Sequence, residues 1–189
     1  MSYRSKRFTF GSKTTAQIDA ITISTNPELL PGMSVWNSDL KKPEYWTGSV
    51  WINEDCILMI NTSGSTISRA RFVKLDITQT SVEGVILSTG NLVADDEDYM
   101  LGVVHRGAAP GGTLVIAIQG IYPCKIWASD TTSTRGNLVQ ISTTAGELDQ
   151  ITTIGGEGVC GVVAESLNAS QMTAAGNIVK CMIGIYSGA

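Results

Sequence analysis

Charged side chains are scarce in this sequence. Asp, Glu, Lys and Arg make up 16% of its 189 residues, against about 25% in ordinary globular domains. Histidine occurs once, as His105, so any Ser–His–Asp or Cys–His machinery would have to be built around a single imidazole. No Gly-x-Ser-x-Gly elbow is present to supply a nucleophile, and Gly107–Gly112 lacks the Lys-Ser/Thr of a phosphate-binding loop. None of the four cysteines, Cys56, Cys124, Cys160 and Cys181, stands in a Cys-x-x-Cys pair. Their spacing fits no zinc or cluster pattern, which leaves them as reduced core thiols. Long apolar runs are missing too: Leu114–Ile118 extends over only five residues, far from the ~20 that span a bilayer. The Met1–Arg7 stretch is charged, but no apolar region follows it as in a secretory signal. The expectation is a soluble chain made in a cytosol, with no membrane segment, no cofactor, no metal and no catalytic centre.

Short polar residues replace the missing charges: 20 Thr, 18 Ser and 20 Gly. Threonine suits a pleated, half-buried strand, while Gly and Ser serve turns, so the composition favours many short strands over helices. The charge that remains is unevenly distributed. The first 18 residues hold Arg4, Lys6, Arg7 and Lys13 and no acid, for +4; the other 171 hold 9 basic and 17 acidic residues, for −8. A basic arm on an acidic body points to docking of the arm on an anionic surface.

Three sections follow from the pattern. Residues 1–20 form the basic arm, whose Lys13–Ile21 stretch could close a short helix or a strand. Residues 21–66 form an aromatic-rich β module that ends in the linker Asn61–Thr66. Residues 67–189 form the larger domain. In that domain Arg71–Ile77 alternates with a period of two, which predicts Val73, Leu75 and Ile77 on one face and Lys74 and Asp76 on the other. Further strands are expected over 82–87, 101–105, 113–119, 122–127, 138–141, 158–163 and 178–186. Only Ala164–Ala175 has room for a helical turn or two. The class predicted is all-β, a small β-barrel or sandwich. An internal echo runs through this region: Gly102-Val-Val104 recurs as Gly161-Val-Val163, and Gly120-Ile-Tyr122 as Gly184-Ile-Tyr186.

The candidate chemistry is sparse. His105 follows an apolar strand, where a loop or subunit-interface role is expected. Asp95–Asp98 is a contiguous acidic run, which marks a solvated loop and lacks the ordered spacing of an EF-hand. The most informative local feature is aromatic. Trp36, Tyr45, Trp46 and Trp51 fall within 16 residues, and each packed indole buries on the order of 150–250 Å². A module this small is not expected to bury three indoles alone. The four rings are therefore assigned to the module core or to a subunit interface, and the competing assignment is an exposed platform for a sugar ring.

This segment resembles a short β module common in phage tail-fibre and head-fibre proteins. The pattern is Gly-x-x-x-aromatic-Asn-x-Asp, a loop, an aromatic, then Gly-x-x-Trp, carried by Gly32, Trp36, Asn37, Asp39, Tyr45, Gly48 and Trp51. The larger domain resembles the small β-barrel decoration proteins of phage heads through its Gly-Val-Val strand starts, the Ala108–Gly112 loop and the Gly-Ile-Tyr return strand. The resemblance implies a tailed-bacteriophage virion protein on the capsid surface, a head fibre or capsid decoration. It implies a homotrimer bound to the major capsid protein, with no direct nucleic-acid binding. Capsid attachment then falls to Arg4, Lys6, Arg7, Phe8 and Phe10. The alternative is a tail-fibre-type receptor- or glycan-binding protein.

Overall fold

The computed structural model describes residues 9–79, 84–87, 100–152 and 159–184. It is all-β in these residues apart from two short helices, and it divides into two compact units, Met1–Glu54 and Asp55–Ala189.

In the first unit, β1 (Thr9–Lys13), β2 (Ser34–Asn37), β3 (Lys42–Trp46) and β4 (Trp51–Ile52) form a sheet in that order. β1 runs parallel to β2; the other two pairings are antiparallel. Between β1 and β2 lies α1 (Thr15–Asp19), opened by a capping box in which Thr14 and Gln17 satisfy each other's backbone N–H groups. Ile18 of this helix packs with Leu29, Met33, Val35, Trp46 and Trp51 in one buried cluster, with Phe10 and Ile21 against it. Residues 9–20, expected to belong to a separate arm, are thus part of the module. They supply the apolar partners that the two buried indoles need, and residues 1–8 lie outside the described set.

The second unit begins earlier than the sequence suggested. β5 (Cys56–Asn61), assigned from sequence to the aromatic module, is a stave of a closed five-stranded barrel. The others are β6 (Phe72–Leu75), β7 (Gly84–Leu87), β8 (Met100–Arg106) and β9 (Thr113–Ala117), and the ring order is β5-β7-β6-β8-β9. Asn61–Thr66 is not a linker between domains but a turn inside this unit, where Asn61 Nδ2 donates to the carbonyls of Ser65 and Ala108. Met59, Ile67, Val73, Val85, Val104, Leu114 and Ile116 fill the barrel.

Of the predicted face Val73, Leu75, Ile77, only Val73 enters that core. Leu75 and Ile77 are 39% and 57% exposed, because the ladder ends at Leu75 and the chain turns out of the barrel. Asp76 fixes that turn: its carboxylate accepts from Thr62 Oγ1 and Thr78 Oγ1, each at 2.6 Å. These hydroxyls, Thr62's foremost, hold the Asp76 carboxyl below the usual carboxylate range. A carboxylate with a depressed folded pKa contributes stability above its unfolded pKa and loses it as pH falls through the folded value. Asp76→Asn should therefore lower the melting temperature at pH 6 and flatten its fall between about pH 4 and pH 2, measured by thermal unfolding across a pH series. An unchanged pH profile would remove Asp76 from the account.

Beyond the barrel, β10 (Gly120–Lys125), β11 (Leu138–Ile141), β12 (Leu148–Ile151), β13 (Val159–Val163) and β14 (Ile178–Ile183) form a second sheet in the order β10-β14-β13-β11-β12, every pairing antiparallel. β12, with the sequence Leu-Asp-Gln-Ile, carries no alternating apolar signal that would predict a strand. The helix anticipated within Ala164–Ala175 is α2 (Ala169–Ala174). Barrel and sheet are joined by backbone bonds, Phe72 N to Gly146 O at 2.9 Å and Lys125 N to Ala70 O at 2.8 Å. An Arg71–Glu147 ion pair at 2.9 Å adds a further link.

The two Gly-Val-Val segments fall at matching places, on β8 and β13. A Cβ on Gly102 would sit 2.1 Å from the carbonyl oxygen of Ala117 on the neighbouring strand, and one on Gly161 2.3 Å from that of Met182. The echo thus marks two close backbone approaches that only glycine permits. Its second part, Ile185-Tyr186, lies outside the described residues.

Candidate functional site

The aromatic module is built so that two of its four large rings face inward and two face out. Tyr45 and Trp46 are adjacent on β3, so the pleat sends them to opposite faces. Trp46 and Trp51 sit opposite each other in the β3–β4 register, with ring centroids 5.5 Å apart. Trp51 also takes the edge of Phe10 at 6.0 Å and donates its indole N–H to the Ile21 carbonyl at 2.9 Å. Trp46 and Trp51 are thus core residues, 4% and 2% exposed, whereas Trp36 and Tyr45 are 46% and 44% exposed.

Beside the exposed rings lies a buried polar lattice. Asn37 Oδ1 accepts from the backbone N–H of Asp39 at 2.9 Å and of Leu40 at 3.1 Å, closing the loop after β2. Its amide Nδ2 donates to Glu44 Oε1 at 3.0 Å and to Thr15 Oγ1 at 2.9 Å. Asp39 Oδ2 in turn accepts from the Thr15 N–H at 2.8 Å, at the start of α1. Asn37, Glu44 and Thr15 are all fully buried. Gly32 and Gly48 stand at the turns flanking β2 and β3 with φ of +87° and +110°, in the left-handed region. Thr47 N bonds Val50 O at 3.0 Å across the second turn. The residues of the Gly–aromatic–Asn–Asp–aromatic–Gly–Trp pattern therefore separate into two groups. Gly32, Asn37, Asp39, Gly48 and Trp51 hold the scaffold; Trp36 and Tyr45 are displayed by it.

The displayed face carries no formal charge at its centre. Trp36 stands between Ser12 on β1 and Pro43 on β3, and Tyr45 between Ser34 and Ile52. Two aromatic rings with flanking hydroxyls on a rigid sheet can stack on an apolar partner surface or on a sugar ring, while their polar edges stay hydrated. Sequence reasoning grouped all four rings together; the period-two rule applied to each strand separates them.

Of the residues assigned to capsid attachment, Arg4, Lys6, Arg7 and Phe8 lie outside the described residues. Phe10 is half-buried against Trp51, so its ring is engaged within the module. Asp95–Asp98 also lies outside the described set. His105 is not in a loop. It lies within β8, is 1% exposed and meets Tyr122 edge-on with centroids 5.6 Å apart. Tyr122 Oη donates to Asp55 Oδ2 at 3.3 Å, and Gln119 Nε2 to Asp55 Oδ1 at 3.3 Å. The imidazole is thus buried beside a packed polar patch of Tyr122, Asp55 and Gln119.

Cys124, Cys160 and Cys181 are buried and unbridged in the second sheet, and Cys56 is half-buried. A hydrogen bond with Cys181, followed by burial, pushes the Cys124 thiol well up. Burial raises that of Cys160. Burial thus favours the protonated form of the Cys124 and Cys160 thiols. Among the described residues, no three His, Cys, Asp or Glu side chains are grouped to hold a metal ion.

No family model and no curated protein matches the sequence. Among solved structures, the chain is similar to the N base of head fibre gp8.5 of bacteriophage phi29. That similarity has a TM-score of 0.44 at 12% identity, covering 68% of this chain and 94% of that one.

Proposed function

We propose that this chain is a structural surface protein of a tailed-bacteriophage particle, a head fibre or capsid decoration that self-associates as a trimer and attaches to the assembled capsid. The observation that carries the reading is the rigid display of Trp36 and Tyr45 on an uncharged sheet face, the composition of a protein-contact surface and not of a reaction site. The resemblance of the surrounding pattern to fibre modules supports the same reading. Attachment is assigned to Arg4, Lys6, Arg7 and Phe8 of the basic N-terminal segment, with the major capsid protein as partner. Because such a ligand recognises only assembled shell, it stabilises that shell by mass action.

The test is co-sedimentation of the purified chain with assembled capsids of the matching phage, read beside its sedimentation mass. Saturable binding, lost when Arg4, Lys6 and Arg7 are replaced together by Ala, is expected. A chain that stays in the supernatant at every concentration overturns the reading. The exposed, adjacent Trp36 and Tyr45 also favour a second reading, a glycan-binding fibre protein. Sugar binding on a glycan array that disappears with Trp36→Ala would select it.

A further inference from the structure

The barrel and the second sheet each contain five strands, β5 to β9 and β10 to β14. Around the barrel the first strand pairs in parallel with the third. The third–second, second–fourth, fourth–fifth and fifth–first pairings are antiparallel. The second sheet has the same four antiparallel pairings between strands of the same rank. Its first–third contact forms just past the end of β10. There Ile126 bridges Leu148 in parallel, and Trp127 N donates to Leu148 O at 2.8 Å. All five pairings together describe a ring, so this sheet is closed as well.

The registers agree residue by residue. Phe72 pairs with Val103 as Leu138 does with Val162, and Val73 with Gly102 as Val139 does with Gly161. The register then shifts at the same place in both, directly after Val73 and directly after Val139. Cys56 pairs with Ala117 as Ile121 does with Met182, and Val104 with Ile116 as Val163 does with Cys181. The parallel contacts correspond too, Asn61 with Val85 and Ile126 with Leu148. One shift of numbering per strand satisfies both of that strand's pairings. Two sheets assembled independently would have no reason to obey it, because register is set strand by strand.

The connections repeat the same bonds. Ala70 N donates to Val104 O at 2.8 Å and Gly136 N to Val163 O at 2.9 Å, and both donors have positive φ, +69° and +95°. Ile67 and Ala108 exchange two backbone bonds, as do Ser133 and Leu167. After the second strand, Thr78 N donates to Asp76 Oδ1 and Thr144 N to Ser142 Oγ. Val73, Val104 and Ile116 of the first interior have Val139, Val163 and Cys181 as counterparts, all buried. The sequences share Ser/Thr-Arg-x-x-x-Val, at Ser68 to Val73 and at Thr134 to Val139, besides the repeated Gly-Val-Val.

We infer that residues 56–183 are one five-stranded barrel present twice in tandem. The main difference between the copies lies between the fourth and fifth strands. Residues 109–112 make that connection in the first copy and residues 168–177, which include α2, in the second. Under the proposed function, on which this consequence alone rests, each attached chain offers the shell two barrels of one kind and meets a repeated partner twice.

Two measurements on the full chain test the inference. In residue-resolved hydrogen exchange, the Trp127 amide that closes the second ring should be protected at least as well as its counterpart Thr62, which bonds Val85 O in the first. Exchange of Trp127 at an unprotected rate overturns the closure. The second measurement is a graft, in which residues 134–142 are replaced by the nine residues Ser68 to Asp76. This aligned graft should unfold in urea as one cooperative transition with the far-UV spectrum of the wild type. The same nine residues placed over 136–144 keep the inside–outside alternation but move the positive-φ residue and the register shift out of place. The displaced graft should have a midpoint at least about 1 M of urea below the aligned one. Equal midpoints overturn the duplication. Neither measurement uses the capsid, so a chain that fails to bind capsids counts against the proposed function alone.

Discussion

Trp51→Ala is expected to cost the N-terminal unit about 3–5 kcal/mol, the loss typical of a large aromatic truncated inside a core. The unit is small, so a cost of this size removes most of its stability. Trp51 stands at the centre of three contacts: the Trp46 ring at 5.5 Å, the Phe10 edge at 6.0 Å and the Ile21 carbonyl bonded by its indole N–H. Truncation therefore leaves a cavity and an unpartnered carbonyl, and it frees β1 from its only aromatic anchor among the described residues. Trp51→Phe should recover the packing but not the hydrogen bond, placing it between wild type and alanine. Urea unfolding followed by near-UV circular dichroism measures the series. A cost below about 1 kcal/mol for Trp51→Ala would mean that the module is not held together by this core.

Gly102→Ala should damage the barrel to a similar degree, although it adds only a methyl group. The new Cβ would lie 2.1 Å from the Ala117 carbonyl oxygen, a backbone atom that cannot rotate aside. Relief requires β8 and β9 to separate, and β9 contributes Leu114 and Ile116 to the barrel core. Overpacking usually costs 1–3 kcal/mol, and a backbone clash places this substitution at about 3 kcal/mol or above. Gly161→Ala should do the same to the second sheet, where the obstacle is the Met182 carbonyl at 2.3 Å. Gly111→Ala serves as a control, since its Cβ would meet nothing within 4 Å and only its φ of +77° is strained. Equal denaturation midpoints for Gly102→Ala and Gly111→Ala would show that the close approach is not what that glycine serves.

These two substitutions mark the boundary between what was legible and what was not. The strand class could be read because Thr, Val, Ile and Gly recur at strand and turn spacing, and such signals are local. The short helix starting at Thr15 could be foreseen only as one of two options, since five residues carry too little periodicity to decide. Barrel membership of β5 could not be read at all. Its pairing with β9 joins Leu58 to Val115, residues far apart in the chain, and nothing in Cys56–Asn61 says which distant strand it will meet. The same holds for His105, whose local sequence suits a strand end, while its burial depends on Tyr122 arriving from β10.

The sequence by itself determined the chemical character of this protein. Few charges, one imidazole and scattered cysteines leave little material for reaction chemistry, and abundant Thr and Gly commit the chain to short strands and turns. It also determined that Tyr45 and Trp46 take opposite faces, because adjacent residues on a strand must diverge. Tertiary structure alone decided which faces are covered. It buried Trp46 and Trp51 against residues 10–35 and left Trp36 and Tyr45 outside. It also gave two stretches of different sequence the same ring of strands. The reason is that burial depends on strand register and on partners distant in the chain, which are properties of the assembled sheets and not of any segment within them.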